Sequence, residues 1–99
     1  MKKDCGVTKA MRLIGAKWTL SIIHALCEKE KRFNQLLEEL SPISPRTLSL
    51  RLKQLEKDAI VSKKIFAEIP LHVEYRLTKK GSSLKEIVMK METWGQQQE

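Results

Sequence analysis

The stretch from Ile43 to Lys57 constrains this chain more than any other, because its residues dictate a helix with two chemically opposed faces. Ser44 is a good N-cap, and Pro45 falls at the first helical position, where a missing N–H costs nothing and a fixed φ suits the helix. At about 100° per residue, Leu48, Leu52, Leu55 and Ala59 line one narrow stripe, while Arg46, Leu50, Lys53 and Lys57 gather on the opposite side. The first face must pack against something apolar. The second is free to meet an anion.

What precedes and follows this helix gives it a context. Phe33, Leu36, Leu37 and Leu40 form a short helix stopped by Ser41-Pro42, so two short helices are joined by a tight turn that Pro42 and Pro45 stiffen. Those are the ingredients of a helix-turn-helix. Upstream, Val7, Ala10, Met11 and Ile14 recur at helical spacing and Gly15 ends the pattern; Trp18, Ile22, Ile23 and Leu26 then repeat it between Lys17 and Cys27. After Ala59 the period changes to two. Val61, Lys63, Ile65 and Ala67 alternate with Ser62, Lys64, Phe66 and Glu68, and Val73, Tyr75 and Leu77 alternate with Glu74 and Arg76, which predicts a β-hairpin. Thr78 caps a last helix with Leu84, Ile87, Val88, Met91 and Trp94 on one stripe and Gly95 as its stop. The expected fold is mainly α with a small β-hairpin wing, a winged helix-turn-helix. The 99 residues make one domain, with the recognition helix at about 44–57, the wing at about 61–78 and the C-terminal helix at about 79–95.

A formal charge of +7 favours a polyanionic partner, since neutralising phosphates releases their condensed counterions. The excess lies in residues 1–32, 44–57 and 61–80, whereas residues 81–99 are slightly acidic, so a basic binding side and a C-terminus with a different task are expected. Lys9, Arg12 and Lys17 interrupt any apolar leader after Met1-Lys2-Lys3, and no apolar run is long enough for a membrane span, which makes the cytoplasm the expected location. Cys5 and Cys27, with His24 and His72, offer no metal-ligand spacing. A Gly-rich phosphate loop and a nucleophile motif are missing too, so neither enzyme activity nor a cofactor is expected.

Arg46, Thr47, Ser49, Leu50 and Lys53 are the residues placed to face a DNA groove. Arg can grip guanine O6/N7 with two hydrogen bonds, Thr or Ser can bond a base or a phosphate, and an exposed Leu can meet a thymine methyl. Ser44 opens the helix and with it offers backbone N–H groups to a phosphate. Lys31 and Arg32 before the third helix, and Lys63, Lys64 and His72 in the wing, are expected on the DNA backbone, where most protein–DNA hydrogen bonds go. Arg51 flanks the apolar stripe and is expected in an ion pair with an acid of the preceding helix. Trp18 and Trp94 read as packing residues, and an aromatic content of 5% argues against single-strand stacking. Cys27 reads as a small buried hydrophobe. Cys5 lies at a helix N-terminus near Lys2, Lys3 and Lys9, where dipole and cations favour thiolate, making it a redox candidate.

With these residues in place, the chain resembles the HxlR family of winged-helix transcription regulators, which are related to the MarR type. The resemblance spans residues 5 to 95 or so and rests on Cys5, Leu13 to Leu20, Arg32-Phe33, Ile43 to Leu48, Arg51-Leu52, Leu55-Glu56, Val73 to Thr78 and Gly81. It implies a homodimer built on the N- and C-terminal helices, which assigns Val7, Met11, Val88, Met91 and Trp94 to the interface. It further implies two recognition helices on a pseudo-palindromic double-stranded operator and, for part of the family, a thiol-reactive N-terminal cysteine. Three positions depart from the family pattern: Gly6 follows Cys5 where Pro is usual, Pro70-Leu71-His72 replaces a wing tip with a second Pro and an Arg, and Lys9 and Arg12 add positive charge to the first helix. The competing reading is a winged-helix interaction module whose basic face docks an acidic protein. The small-molecule inducer, if there is one, is not legible.

Overall fold

The computed structural model describes residues 5–98. In chain order the elements are α1 (Gly6–Ile14), α2 (Thr19–Leu26), β1 (Lys31–Arg32), α3 (Phe33–Glu39), α4 (Pro45–Lys57), β2 (Val61–Phe66), β3 (His72–Leu77), α5 (Lys79–Ser82) and α6 (Lys85–Gln96). This is the winged helix-turn-helix expected from the sequence pattern, with α3 and α4 as its helical pair and β2–β3 as its wing. Among the described residues no helix is long and apolar enough to cross a membrane.

The core forms where the apolar stripes meet. Ile22, Ile23, Ala25 and Leu26 of α2, Leu36 of α3 and Leu48, Leu52 and Leu55 of α4 close over Ile14, Ile43, Ile60, Val61 and Val88. Each such aliphatic side chain contributes roughly 1.5–3 kcal/mol by leaving water, so truncating Leu52 to Ala should cost about 2–5 kcal/mol. Ser44 accepts a hydrogen bond from the Thr47 N–H at 3.1 Å and so caps α4 as its position before Pro45 predicts.

α4 ends in a left-handed cap. The Ile60 N–H bonds to the Leu55 carbonyl at 2.9 Å and the Ala59 N–H to that of Glu56 at 3.0 Å, with Ala59 at φ 59°. Ala59 thus leaves the apolar stripe that the sequence assigns it and becomes the exposed turn residue, a place Gly usually occupies. Ile60 then turns into the core and fixes the start of the wing.

The sheet has three antiparallel strands in the order β1-β3-β2. β1 escapes sequence periodicity because it is only two residues long, yet it decides the fate of two cations. Lys31 pairs with Tyr75, which faces Lys63 across β3, and Arg32 pairs with Glu74, which faces Lys64. Directly opposed residues share a face, so Lys31 is directed inward and Arg32 outward.

The C-terminal helix is not continuous. Thr78 caps only the single turn of α5, accepting from the Gly81 N–H at 3.0 Å, and its own hydroxyl donates to the Ala59 carbonyl at 2.5 Å. Gly81 is required here because a Cβ would stand 2.1 Å from the Ile60 carbonyl oxygen. The chain turns at Ser83-Leu84, and α6 then passes Gly95, which keeps helical geometry and does not stop it, to end at Gln96. α6 packs against α2, so Val88, expected at a dimer interface, is instead 4% exposed and part of the single chain's core.

Candidate nucleic-acid interface

α4 presents its second face as the helical period requires. Arg46, Leu50 and Lys53 are exposed and Ser49 is half-buried beside them; together these four line one shallow depression on the surface. Neither Arg46 nor Lys53 is engaged by a hydrogen bond or ion pair among the described residues, so both side chains can reach a partner. Leu50 sits 56% exposed between them. Thr47 lies at the first turn, where the Ser44 hydroxyl donates to its Oγ1 at 2.9 Å. The depression therefore offers a guanidinium, a hydroxyl, an apolar cap and an ammonium along one side of α4, a set that can bond base edges and phosphates together.

The wing stem flanks this face. Lys63 extends from β2 toward Glu56, with Nζ 3.8 Å from Oε1, and Glu56 lies on α4 between the buried stripe and the cationic side. Lys64 projects from the opposite face of β2, its Nζ 5.0 Å above the Phe66 ring, and Arg32 is exposed on the same outer face. The sequence reading passed over Arg76 as a contact. It is exposed, and it shares a small outer pocket with Lys64, Phe66, Glu30 and Glu74. Strand register was the signal, because Arg76 is opposed by Ser62 and so falls diagonal to Lys64 on one face.

Two of the expected backbone contacts are corrected. Lys31 is only 6% exposed, and its ammonium donates to Glu39 Oε1 at 2.5 Å, so it ties β1 to α3 and is not available to a phosphate. His72 closes the last pair of the hairpin with its ring stacked on Phe66, centroids 4.5 Å apart, and Nε2 3.5 Å from Glu74 Oε2. Its side chain is largely covered and stiffens the stem. Arg51 also differs from expectation: its Nε donates to the Lys17 backbone carbonyl at 3.2 Å, joining α4 to the α1–α2 turn without a carboxylate.

Cys5 is exposed at the start of α1 and serves as its N-cap. The Thr8 hydroxyl lies 3.1 Å from its sulfur and the Thr8 N–H donates to it at 3.4 Å; these two contacts, the hydroxyl first, lower the thiol pKa. The cause is thus local hydrogen bonding, and the lysines Lys2 and Lys3 invoked from sequence lie outside the described residues. Burial raises the Cys27 thiol, against a smaller opposing effect from Lys85. Among the described residues no cluster of His, Cys, Asp and Glu is arranged to hold a metal ion.

Val7 and Met11 on α1, and Ile87, Met91 and Trp94 on α6, are all exposed, Trp94 to 66%. Apolar side chains thus stand exposed on both terminal helices, in contrast to the cationic side of α4.

Comparison with known proteins agrees with this geometry. The HxlR-like helix-turn-helix family matches residues 13–99. The HTH-type transcriptional regulator YodB of Bacillus subtilis is 39% identical over 88 residues, covering 89% of this chain and 79% of that protein. Among solved structures, the redox regulator HypR in its oxidised form superimposes with a TM-score of 0.91 at 35% identity, over 96% of this chain and 98% of that one. Reduced YodB from B. subtilis gives a TM-score of 0.81 at 36% identity, over 97% and 94% of the two chains.

Proposed function

The chain belongs to the HxlR-like helix-turn-helix family and is a transcriptional regulator, and from that premise we propose that it binds double-stranded DNA sequence-specifically, as a cytoplasmic homodimer on a pseudo-palindromic operator. The observation that carries this reading is the open depression of Arg46, Ser49, Leu50 and Lys53, directly opposite the buried Leu48, Leu52 and Leu55. In a helix-turn-helix the second helix enters the major groove, and this is the side that would face base edges. Arg46 would bond a guanine, Leu50 would meet a thymine methyl, and Ser44, Thr47, Ser49 and Lys53 would bond bases or the flanking phosphates. Arg32, Lys63, Lys64 and Arg76 would hold the backbone on either side.

Dimerisation would use the exposed Val7 and Met11 of α1 with Met91 and Trp94 of α6, which places two copies of α4 on one duplex. Cys5 is the candidate sensor: it is exposed, its thiol is acidified, and it caps the start of α1, two residues from Val7. HypR and YodB are named as redox regulator and transcriptional regulator, and YodB has been solved quinone-bound and after diamide treatment. Modifying Cys5 would thus perturb the surface that sets the spacing of the two recognition helices.

The test is selection of bound duplexes from a random pool, followed by titration of the selected and a scrambled duplex at two salt concentrations. A regulator discriminates between them by about 10³-fold or more and weakens steeply with salt. An interaction module that docks an acidic protein would show no preference between the two sequences, and that result would defeat the proposal.

A further inference from the structure

Among the described residues the wing tip is the one strongly exposed apolar surface that lies on neither α4 nor the terminal helices. Ile69 is 102% exposed, Leu71 66% and Ile65 59%, all at the distal end of the β2–β3 hairpin. The five loop residues Ala67, Glu68, Ile69, Pro70 and Leu71 include no cation, so this tip cannot hold DNA as a basic wing does. Its support is firm nonetheless. The ladder runs to the final pair Phe66–His72, whose rings stack, and Lys63 ties the stem to Glu56 beside the cationic side of α4.

We propose that Ile69 and Leu71 act as an apolar wedge that enters the minor groove next to the segment read by α4 and partly unstacks one base step, bending the duplex. This rests on the DNA-binding reading above. Isoleucine, leucine and proline are among the residues that serve this purpose in minor-groove binders, and the gain from burying them offsets the cost of unstacking. The outer face of the stem carries Arg32, Lys64 and Arg76 against Glu30 and Glu74, a cationic excess that favours a polyanion as the occupant of the tip, and Glu68 is the single acid on the loop. Glu68, repelled by the phosphates on either side, would stay outside the groove while the aliphatic side chains go in. Such a wedge favours pyrimidine–purine steps, which unstack most easily, and so adds sequence preference at a position that no hydrogen bond reads.

The test uses the full chain and a duplex that it has selected from a random pool, labelled at both ends for energy transfer and carrying 2-aminopurine at successive positions beside the segment α4 covers. Wild type should shorten the end-to-end distance and raise 2-aminopurine fluorescence at one step. Ile69→Ser combined with Leu71→Ser should abolish both signals and weaken binding by about tenfold or more. The slope of log affinity against log salt should not change, because no phosphate contact is lost. Ile69→Leu should keep the wild-type behaviour. Wild-type affinity, bend and fluorescence in the double serine variant would overturn the wedge and leave the tip to a protein partner. A loss of affinity with a shallower salt slope would overturn it as well, by pointing to a displaced cation. If the protein selects no duplex at all, the DNA-binding reading itself fails and the wedge falls with it.

Discussion

α4 buries one face and exposes the other, whereas α1 and α6 are exposed over most of their surface, and the side chains they offer to water differ in kind. α4 shows water Arg46 and Lys53 around Leu50, whereas α1 and α6 show it Val7, Met11, Ile87, Met91 and Trp94. A cationic face is stable in water and gains when it meets phosphates, by releasing their counterions. An apolar face is unfavourable from the outset and gains when it meets another apolar surface. On the proposed reading the chain separates recognition of nucleic acid from recognition of protein, and each surface can be damaged without the other.

Breaking the apolar surface should have the largest effect. Met91→Lys with Trp94→Lys should convert the dimer to a monomer by sedimentation and lower affinity for a two-half-site operator by about 10²-fold or more, while a single half-site is bound as before. Wild type sedimenting as a monomer at micromolar concentration would erase the distinction between the two surfaces.

Two lysines sharpen the comparison from the other side. Lys31→Ala should lower stability by about 1–3 kcal/mol, through loss of its covered bond to Glu39, and leave the salt dependence of DNA binding alone. Lys53→Ala should do the reverse, sparing thermal stability and reducing the salt slope by about one. Thermal melts and titrations at several salt concentrations separate the two outcomes.

The smallest expected effect concerns the thiols. Cys5 is held below its ordinary pKa of 9.0 by the Thr8 hydroxyl and then the Thr8 N–H, and burial holds Cys27 above the same value. As pH rises, Cys5 therefore becomes thiolate first. Alkylation followed by mass spectrometry should show Cys5 modified ahead of Cys27, with its half-maximal rate at a lower pH, and Thr8→Val should narrow the gap. Equal labelling of both thiols would remove Cys5 as a preferred sensor.

What the sequence could disclose follows the same division between local and distant causes. The start of α4 is written in Ser44 and Pro45, and its two faces in a period of 3.6, so Arg46, Leu50 and Lys53 could be placed without any tertiary information. Lys31 could not. Its inward direction depends on pairing with Tyr75, forty-four positions away, through a strand of two residues. Val88 was hidden for a related reason: a stripe drawn from Leu84 to Trp94 does not reveal which of its members the distant α2 covers. The exposed wing tip is legible as five residues without a cation, but its apolar character gains meaning only when the stem is seen beside α4.

The most direct measurement of the central claim, that the exposed face of α4 reads sequence, is a profile of affinity for the selected operator and every single-base variant of it, recorded for wild type and for Arg46→Ala. The expected result is a cost of about 1–3 kcal/mol on the operator with discrimination lost at one guanine position and preserved elsewhere. Identical profiles for the two proteins would contradict it.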